Sequence, residues 1–499
     1  MAETKREIER KYASDDSGLP DLTGVGGVAA VLDKGLVELD ATYYDTADQR
    51  LAAASLTLRR RTGGSDAGWH LKLPVAPGVR DEIRAPLSDT LPQELAALVR
   101  SRVREAELVP LVRLRSARDV RHLVDADGTL LAEASVDAVT AERLTAPGGT
   151  SQWTEIEIEL ADGGDPAFLD QVEKRLARAG VRPSASPSKL ARALEHTGGL
   201  RRPPGTSAEP VTAGDHVLAY LRAQRDALVA LDPAVRLGTP DTVHRMRVAT
   251  RRARATLRTF RTVLDRAATE PLAAELKWLA GELGVDRDQE VLAERLTTAL
   301  DALPPGLATG PARERLASWA RAGGAGAHAH LAGVLDSPRH LALLNTLDAL
   351  LADPPLRKAA ARKPKKALGK AVHKDLAKLT TLVERALALP PGTERDLALH
   401  EARKKAKRTR YAAEAATPAL GARARGLTAA MKSLTTLLGD HQDSVMARRT
   451  LRELAAVAHA AGESAFPYGV LYGREEARAA AAEAELPKRW RKAADRSSG

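Results

Sequence analysis

Cysteine is absent from this chain of 499 residues, and aromatic residues make up only 3% of it. Without cysteine the protein can form no disulfide bond and can use no thiol as a nucleophile or metal ligand. The scarcity of aromatic rings leaves few surfaces on which nucleic-acid bases could stack. No stretch reaches the roughly 18 uncharged apolar residues of a membrane helix, so none is predicted.

Several catalytic signatures are also missing. The chain contains no Gly-x-Ser-x-Gly motif, and the segment from Gly24 to Gly27 is not followed by the Gly-Lys-Ser/Thr of a phosphate-binding loop. The first residues are charged from Glu3 onward and lack the apolar segment of a signal peptide. We therefore expect a soluble, cytoplasmic protein with no membrane partner.

Positive charge is what the sequence has in excess. Lysine and arginine number 76 against 65 aspartate and glutamate residues, which gives a net charge of +11. Such an excess favours a polyanionic partner. Because aromatic residues are scarce, a polyanion without bases fits better than nucleic acid, which stays an alternative.

Charged and apolar residues alternate in several segments of the first part of the chain. Successive side chains of a strand point to opposite faces, so Glu7, Glu9 and Lys11 share one face and Ile8 lies on the other. The same spacing recurs in Arg59 and Arg61, in His70 and Lys72, in Arg80 and Glu82, in Arg113 and Arg115, and in Glu155, Glu157 and Glu159. A closed sheet could point these charged faces into a tunnel and pack the apolar faces against helices.

Taken in order, these segments resemble the CYTH domain of the triphosphate tunnel metalloenzymes. The family hallmark Glu-x-Glu-x-Lys is matched from Glu7 to Lys11, and the Leu-Arg-x-Arg strand from Leu58 to Arg61. Leu71-Lys72, the Glu-x-Glu run from Trp153 to Leu160, and Ser188-Lys189 match its later strands and its closing pair. The resemblance implies an antiparallel β-barrel with flanking helices over residues 1–197, and metal-dependent hydrolysis of inorganic triphosphate or polyphosphate. Adenylate cyclase and thiamine triphosphatase activities occur in the wider family, so the substrate stays open.

Triphosphate binding and hydrolysis need two kinds of side chain in this predicted tunnel. Carboxylates would hold a hard divalent cation, Mg²⁺ or Mn²⁺, and lysine and arginine would hold the phosphates. The candidate metal ligands are Glu7, Glu9, Glu157 and Glu159. The catalytic candidates are Glu7, Glu9 and Lys11. The triphosphate-binding candidates are Lys11, Arg59, Arg61, Lys72, Arg113, Arg115 and Lys189.

Some positions in the tunnel are left open by the sequence. Arg118 competes with Arg113 and Arg115 because the strand register there is undecided. Glu82, Glu133 and Asp137 are further inward-facing candidates. One carboxylate is expected to act as general base on the attacking water, and the sequence does not say which. The competing interpretation is a set of structural Glu–Arg ion pairs inside the barrel.

The second part of the chain follows a linker, residues 198–209, rich in glycine and proline. From residue 210 to 495, long stretches of alanine, leucine and arginine with helical periodicity predict an all-helical unit. The segment His244 to Arg254 recurs 156 residues later, and Leu283 to Asp288 recurs 155 residues later. Two landmarks at nearly one offset predict a duplicated helical bundle.

Each copy of the first landmark carries a stripe of basic residues. On a helix, His244, Arg247, Arg251, Arg254 and Arg258 fall within an arc of roughly 80°. No acidic residue occurs between positions 244 and 261, so like charges repel along this face and an anion would stabilise it. A solvated face balanced by distant acidic residues is the alternative. A further basic run, which could extend this surface, comprises Arg362, Lys363, Lys365, Lys366, Lys370 and Lys374.

These two segments resemble the CHAD domain, a duplicated helical bundle. The family pattern His-x-x-Arg-Val-x-x-Arg-Arg-x-Arg begins at His244, and its second-half counterpart runs from His400 to Tyr411. Family members bind inorganic polyphosphate along a basic cleft, which implies polyphosphate as partner and an association with polyphosphate granules. The implied polyphosphate-binding residues are His244, Arg247, Arg251, Arg252, Arg254, Arg258, His400, Arg403, Lys404, Lys407, Arg408 and Arg410.

The favoured prediction is thus a metal-dependent triphosphatase fused to a polyphosphate-binding domain. Its main rival is a non-catalytic polyphosphate-binding protein whose tunnel has lost activity. The third possibility is a nucleic-acid-binding protein, which competition with polyphosphate would reveal.

Overall fold

The structure, a computed structural model, describes residues 3–14, 18–146, 148–199, 209–304, 306–307, 310–324 and 326–498, with the backbone alone at 285–288, 323–324, 327 and 495–498. The chain divides into two compact units, Met1–Ser207 and Ala208–Gly499. The end of the predicted linker, residues 200–208, lies outside the described residues. Each unit is described by itself below.

The first unit is built around one antiparallel sheet that closes on itself. Its strands are β1 (Glu3–Ser14), β2 (Ala30–Thr46), β3 (Thr57–Thr62), β4 (Gly68–Ala76), β5 (Val79–Pro86), β6 (Leu108–Val124), β7 (Leu130–Arg143), β8 (Gly149–Leu160) and β9 (Arg182–Pro183). The hydrogen-bonded order is β5-β4-β3-β2-β6-β7-β8-β1, with β9 beside β1. Because β5 also pairs with β1, eight strands form a ring, which confirms the predicted antiparallel closed sheet.

The outer faces of β3, β4, β5, β7 and β8 are largely apolar and pack against helices, as the alternation predicts. Helix α1 (Gln93–Val103) packs against β3, β4 and β5, and helix α2 (Ala167–Arg178) packs against β7 and β8. In the second contact, Ile156 and Ile158 are fully buried against Val172 of α2. Full burial of one such side chain contributes about 1.5–3 kcal/mol, so these faces hold the ring and helices together.

A third helix, α3 (Lys189–His196), packs on the inner face at one end of the ring. Ser188 caps it by accepting a hydrogen bond from the backbone N–H of Ala191 at 3.1 Å. Leu190 and Leu194 contact Leu114 and Val139, which lie on the tunnel-facing sides of β6 and β7. Apolar packing therefore closes this end of the ring.

The second unit is helical, as predicted. The described residues form eleven helices: α4 (Ala213–Arg236), α5 (Thr242–Thr259), α6 (Arg266–Glu282), α7 (Val285–Asp301), α8 (Ala312–Gly324), α9 (Ala327–Asp336), α10 (Pro338–Ala352), α11 (Pro364–Ala388), α12 (Thr393–Leu420), α13 (Ala422–Ala460) and α14 (Phe466–Ser498). One large apolar core includes residues from α4, α5, α6, α11, α12 and α13. A smaller core joins α7, α8, α13 and α14.

The two landmarks of each repeat touch one another, which gives a physical reason for their constant spacing. A Cβ atom at Gly284 would lie 2.9 Å from an Nη atom of Arg247. At the corresponding site in the second half, a Cβ atom at Gly439 would lie 3.3 Å from an Nη atom of Arg403. In each half, the missing side chain of the glycine makes room for an arginine of the basic helix.

We expect residues 208–499 to fold without residues 1–207, because the helical unit buries its own apolar core. The isolated fragment should show a strongly helical circular-dichroism spectrum and a cooperative urea transition. A fragment that unfolds gradually, without a sigmoidal transition, would show that the helical core depends on the first unit.

Candidate functional site

The predicted hallmark residues of β1 meet the carboxylates of β8 inside the ring. In the strand register Glu9 lies opposite Glu159 and Lys11 opposite Glu157. The Nζ atom of Lys11 lies 3.1 Å from Oε2 of Glu9 and also contacts a carboxylate oxygen of Glu157. Lys11 therefore bridges carboxylates of both strands.

On the other side of β1, strands β5 and β4 add a second acid–base cluster. Lys72 lies 2.5 Å from Oε2 of Glu7 and 3.6 Å from Glu82. Glu82 is completely buried. It lies 3.4 Å from Arg59, and one of its carboxylate oxygens is hydrogen-bonded to Nδ1 of His70 at 2.9 Å. Glu82, a further inward candidate in the sequence, thus joins the tunnel face.

Lys189 brings the N-terminus of α3 into the same charge network. Its Nζ atom lies 2.9 Å from Asp137, 2.8 Å from Glu155 and 2.6 Å from Glu157. Oxygen atoms of these three carboxylates lie within 4.8 Å of one another, a spacing that could hold a metal ion. In the described structure the lysine ammonium group occupies this carboxylate cluster instead.

The expected positions of Arg113 and Arg115 are wrong. Both lie on the outer side of β6, where Arg113 is 2.5 Å and Arg115 is 3.9 Å from Asp40. Arg118 faces inward and lies 2.7 Å from Asp137 and 2.8 Å from Glu157. The reason is the pairing of Arg118 with Asp137 across β6 and β7, which sends odd-numbered neighbours of this part of β6 outward.

Two other tunnel positions complete the comparison with the sequence. Arg61 is buried and pairs with Asp66 in the turn before β4. Glu133 is only partly buried; it lies 3.6 Å from His122 and opposite Glu159 in the strand register. Arg84, which the sequence reasoning missed, contacts Glu82 and lies 3.7 Å from Glu7. Its alternation with Arg80 and Glu82 was the signal that could have identified it.

The pKa values of Glu7 and Glu9, two neighbouring carboxylates of β1, are shifted in opposite directions. Burial raises the pKa of Glu7 to about 7; Lys72 opposes this shift, and the nearby Glu82 and Glu159 add to it. Burial also acts on Glu9, but the positive charges of Lys11 and Lys72 outweigh it and lower its pKa to about 2. Burial thus disfavours the charged form of Glu7, whereas the neighbouring lysines favour the charged form of Glu9.

In the helical unit, the basic stripes of α5 and α12 line one cleft of about 720 Å³. Residues of both stripes face it, together with basic residues of α6 and α11: Arg251, Arg254 and Arg258; Lys404, Lys407 and Arg408; Lys277; and Lys378. Burial, with the charges of Arg403 and Arg251, lowers the pKa of Lys407 to about 7. Close packing of like charges on this scale is typical of an anion site.

Several of these cations have no protein partner. Within the described residues, no ion pair or side-chain hydrogen bond is formed by Arg254, Arg258, Lys277, Lys378 or Lys407. The acidic residue among those that line the cleft is Glu401, which pairs with Lys404. The buried Asp375 lines the adjoining cavity, where it accepts hydrogen bonds from Thr259 at 2.7 Å and from Arg408 at 3.1 Å. The cleft is therefore a surface of largely uncompensated positive charge.

The basic run before and within α11 extends this surface. Arg362, Lys366, Lys370 and Lys374 line an adjoining cavity of about 490 Å³. The cavity shares Arg258, Lys378 and Arg408 with the cleft, so the two are continuous. Lys363 and Lys365 of the same run do not line it.

Comparison with known families agrees with this division of the chain. The family model of the CYTH domain matches residues 5–194, and that of the CHAD domain matches residues 219–452. The chain is a fusion of a CYTH domain and a CHAD domain. An uncharacterized protein of Mycobacterium tuberculosis, found in two strains, is 38% identical over 485 residues, which cover 94% of this chain and 92% of the relative.

Solved structures include a neighbour for each domain. The CHAD domain from the plant Ricinus communis is 24% identical, with a TM-score of 0.46, and the match covers 59% of this chain and 96% of that one. A Hippeastrum protein with a dominant triphosphatase activity is 17% identical, with a TM-score of 0.23, over 40% of this chain and 98% of that one. Within the described residues, the helices include none that is long and apolar enough to cross a bilayer.

The CYTH family is metal-dependent, and the carboxylates of this CYTH domain offer the oxygen donors that hard divalent cations bind. Glu157 is engaged by Lys11, Arg118 and Lys189, and Glu159 lies 2.8 Å from Lys5. Glu7 and Glu9 share one face of β1, where Lys72 contacts Glu7 and Lys11 contacts Glu9.

Not every predicted residue of the CHAD domain lines the cleft. Arg247 and Arg403 pack over their glycines, and neither they nor His244 and His400 are among the lining residues. Burial and the charge of Lys404 lower the pKa of His400. Arg252 and Arg410 point to another pocket. The cleft itself is thus formed by the middle and last turns of the α5 stripe and the middle of α12.

Replacing Glu7 with glutamine should stabilise the metal-free protein at pH 8 but not at pH 5. Because the folded pKa of Glu7, about 7, lies above its ordinary value of 4.5, folded wild-type protein loses stability as pH rises between these values. The variant lacks this loss, so it should gain about 1–3 kcal/mol at pH 8. Calorimetric unfolding in chelator at both pH values measures the difference.

The matched control is Glu3→Gln, which removes one charge from an exposed position of the same strand. An equal gain from both variants, or a gain of the same size at pH 5, would contradict the raised proton affinity of Glu7.

Proposed function

We propose that the CYTH domain hydrolyses inorganic triphosphate or longer polyphosphate with Mg²⁺ or Mn²⁺, and that the CHAD domain binds inorganic polyphosphate. The observation that carries the proposal is the inner face of the ring, where Glu7, Glu9, Lys11 and Lys72 converge with Arg59. Burying this many charges costs several kcal/mol per ion unless they are compensated, which favours a functional role over a structural one.

The bound metal would polarise a phosphoryl group and help to activate water. Glu7 and Glu9 would hold it. Lys11, Lys72 and Arg59 would contact the phosphate oxygens, and the guanidinium group of Arg59 could do so in a bidentate manner. In the ligand-free protein these cations pair with tunnel carboxylates. When a metal triphosphate binds, these ion pairs would separate: the carboxylates would bind the metal, and the cations would bind the phosphates.

The proposal for the CHAD domain rests on the unpaired cations of the cleft and its continuation along α11. Arg254, Arg258, Lys277, Lys378 and Lys407 lie close together with no carboxylate partner of their own among the described residues. A linear polyanion can neutralise all of them at once and releases counterions as it binds. Phosphate chains have the required charge density and need no aromatic platform.

A non-catalytic polyphosphate-binding protein is the second candidate. The contacts of Lys189 with three carboxylates favour it, because such a cluster also occurs as a closed ion-pair network with no ligand. Phosphate release is the observation that separates the two candidates.

Glu9→Gln should reduce phosphate release by about 100-fold or more, because it removes the charge of a proposed metal ligand and keeps its size. The measurement is phosphate release from triphosphate, long-chain polyphosphate, ATP and thiamine triphosphate, each with Mg²⁺ or Mn²⁺. Glu3→Gln, the same change at an exposed site of β1, should keep the wild-type rate.

Two results would count against the proposal in different ways. A wild-type rate in Glu9→Gln would mean that the metal site is wrong. Failure of the wild-type protein to release phosphate from any of the four compounds would instead support the non-catalytic candidate.

Charge reversal in the cleft, Arg254→Glu with Arg258→Glu, should weaken binding of long-chain polyphosphate by about 10- to 100-fold at low salt. The pair Arg423→Glu with Arg452→Glu makes the same change in net charge at exposed positions of α13 that do not line the cleft, and should have little effect. Titrations at several salt concentrations measure affinity and its salt dependence together.

Equal losses in both double variants would mean that only overall charge matters. Displacement of polyphosphate by duplex or single-stranded nucleic acid at equal phosphate concentration would favour a nucleic-acid-binding function.

A further inference from the structure

Two arginines of the CHAD signature lie outside the cleft and face a separate pocket of about 620 Å³. It is bounded by α5, α12 and α13, and we refer to it as the α13 pocket. Its lining residues are Arg252, Arg410, Glu414, Thr417, Arg425, Thr428, Ala429 and Lys432. Arg425 and Lys432 belong to no motif that the sequence analysis singled out.

The α13 pocket carries uncompensated positive charge. Glu414 is the one acidic residue in its lining, and it lies 2.9 Å from Nε of Arg252 and 3.4 Å from Nε of Arg410, and accepts a hydrogen bond from Tyr220 at 3.2 Å. Its charge is thus already shared. Arg425 and Lys432, seven residues apart on one side of α13, have no ion pair or side-chain hydrogen bond within the described residues.

The lining groups suit phosphate oxygens. Arg252 and Arg410 supply planar guanidinium groups, which bind phosphate with two parallel hydrogen bonds. The buried hydroxyl oxygen of Thr428 has no hydrogen-bond partner within the described residues, so its hydroxyl can donate to a ligand. No aromatic residue is among those lining the pocket, which gives a nucleobase nothing to stack on.

One aromatic side chain separates the α13 pocket from the cleft. Tyr411 lines the cleft, and the Cζ atoms of Arg252 and Arg410 lie 5.8 Å and 4.9 Å from the centre of its ring. These cation–π contacts hold both guanidinium groups beside the cleft wall. A chain that leaves the cleft past Tyr411 therefore meets positive charge again at once.

We propose that the α13 pocket is a second phosphate-binding site, which takes a further segment of the polyphosphate chain held in the cleft. The inference rests on the proposed polyphosphate-binding function of the CHAD domain. A short chain occupies the cleft alone, whereas a long chain engages both sites. Because the second contact is then intramolecular, the pocket adds to the affinity for long chains only.

The test compares two double variants of the full chain. Arg425→Gln with Lys432→Gln removes the two unpaired cations of the pocket, and Arg423→Gln with Arg452→Gln removes the same charge from exposed positions of the same helix. Each protein is titrated in chelator with size-fractionated polyphosphates from short to long. For the longest chains the pocket variant should bind about 10-fold more weakly than the control variant, and for the shortest chains the two should bind equally.

Other outcomes would overturn the inference. Equal affinities of the two variants at every length would mean that the pocket holds no phosphate. An equal loss for short and long chains would make Arg425 and Lys432 part of the first site. If wild-type protein bound no polyphosphate of any length, the proposed function itself would fail.

Discussion

The mutual neutralisation of buried acids and bases inside the ring is the interaction on which the CYTH domain depends. Glu82 is completely buried and Glu7 nearly so, and each would cost several kcal/mol without the cations around it. The partners come from different strands, so the pairs form only when the ring closes in the observed register. Lys189 ties the closing helix to the same network through three carboxylates. Electrostatics and strand register therefore specify each other in this domain.

The CHAD domain handles its charges in the opposite way. Its cleft gathers cations from four helices, and five of them have no partner within the described residues. The apolar core behind them supplies the stability, since α5 and α12 bury Met246, Ala253 and Ala406 completely. The large core offsets the repulsion between charges in the cleft, and a bound anion would relieve that repulsion. The acidic and basic groups of the CYTH domain thus balance one another, which suits a metal together with its anion. The CHAD domain has an excess of positive charge, which suits an anion alone.

Sequence patterns predicted the features that depend on local periodicity. Alternation placed Glu7, Glu9 and Lys11 on one face, and helical spacing placed Arg251, Arg254 and Arg258 on one stripe. The predictions failed where the direction of a side chain depends on residues that are distant in the sequence. Arg113, Arg115 and Arg118 include both parities of one strand, and only the pairing of β6 with β7 decides between them. Likewise, Arg252 follows Arg251 in the motif, but the packing of α13 against α12 creates the pocket that it faces.

The contacts of Arg247 with Gly284 and of Arg403 with Gly439 give a residue without a side chain an electrostatic role. Both guanidinium groups contribute to the depressed pKa of Lys407 in the cleft. Adding one methyl group at either glycine would displace a positive charge that no ligand needs to touch, and would alter the potential at a lysine on another helix. In such a bundle, a substitution can act by moving a charged group as well as by removing a contact with a ligand. Both halves of the duplicated bundle thus keep a glycine at this position, together with the arginine that packs over it.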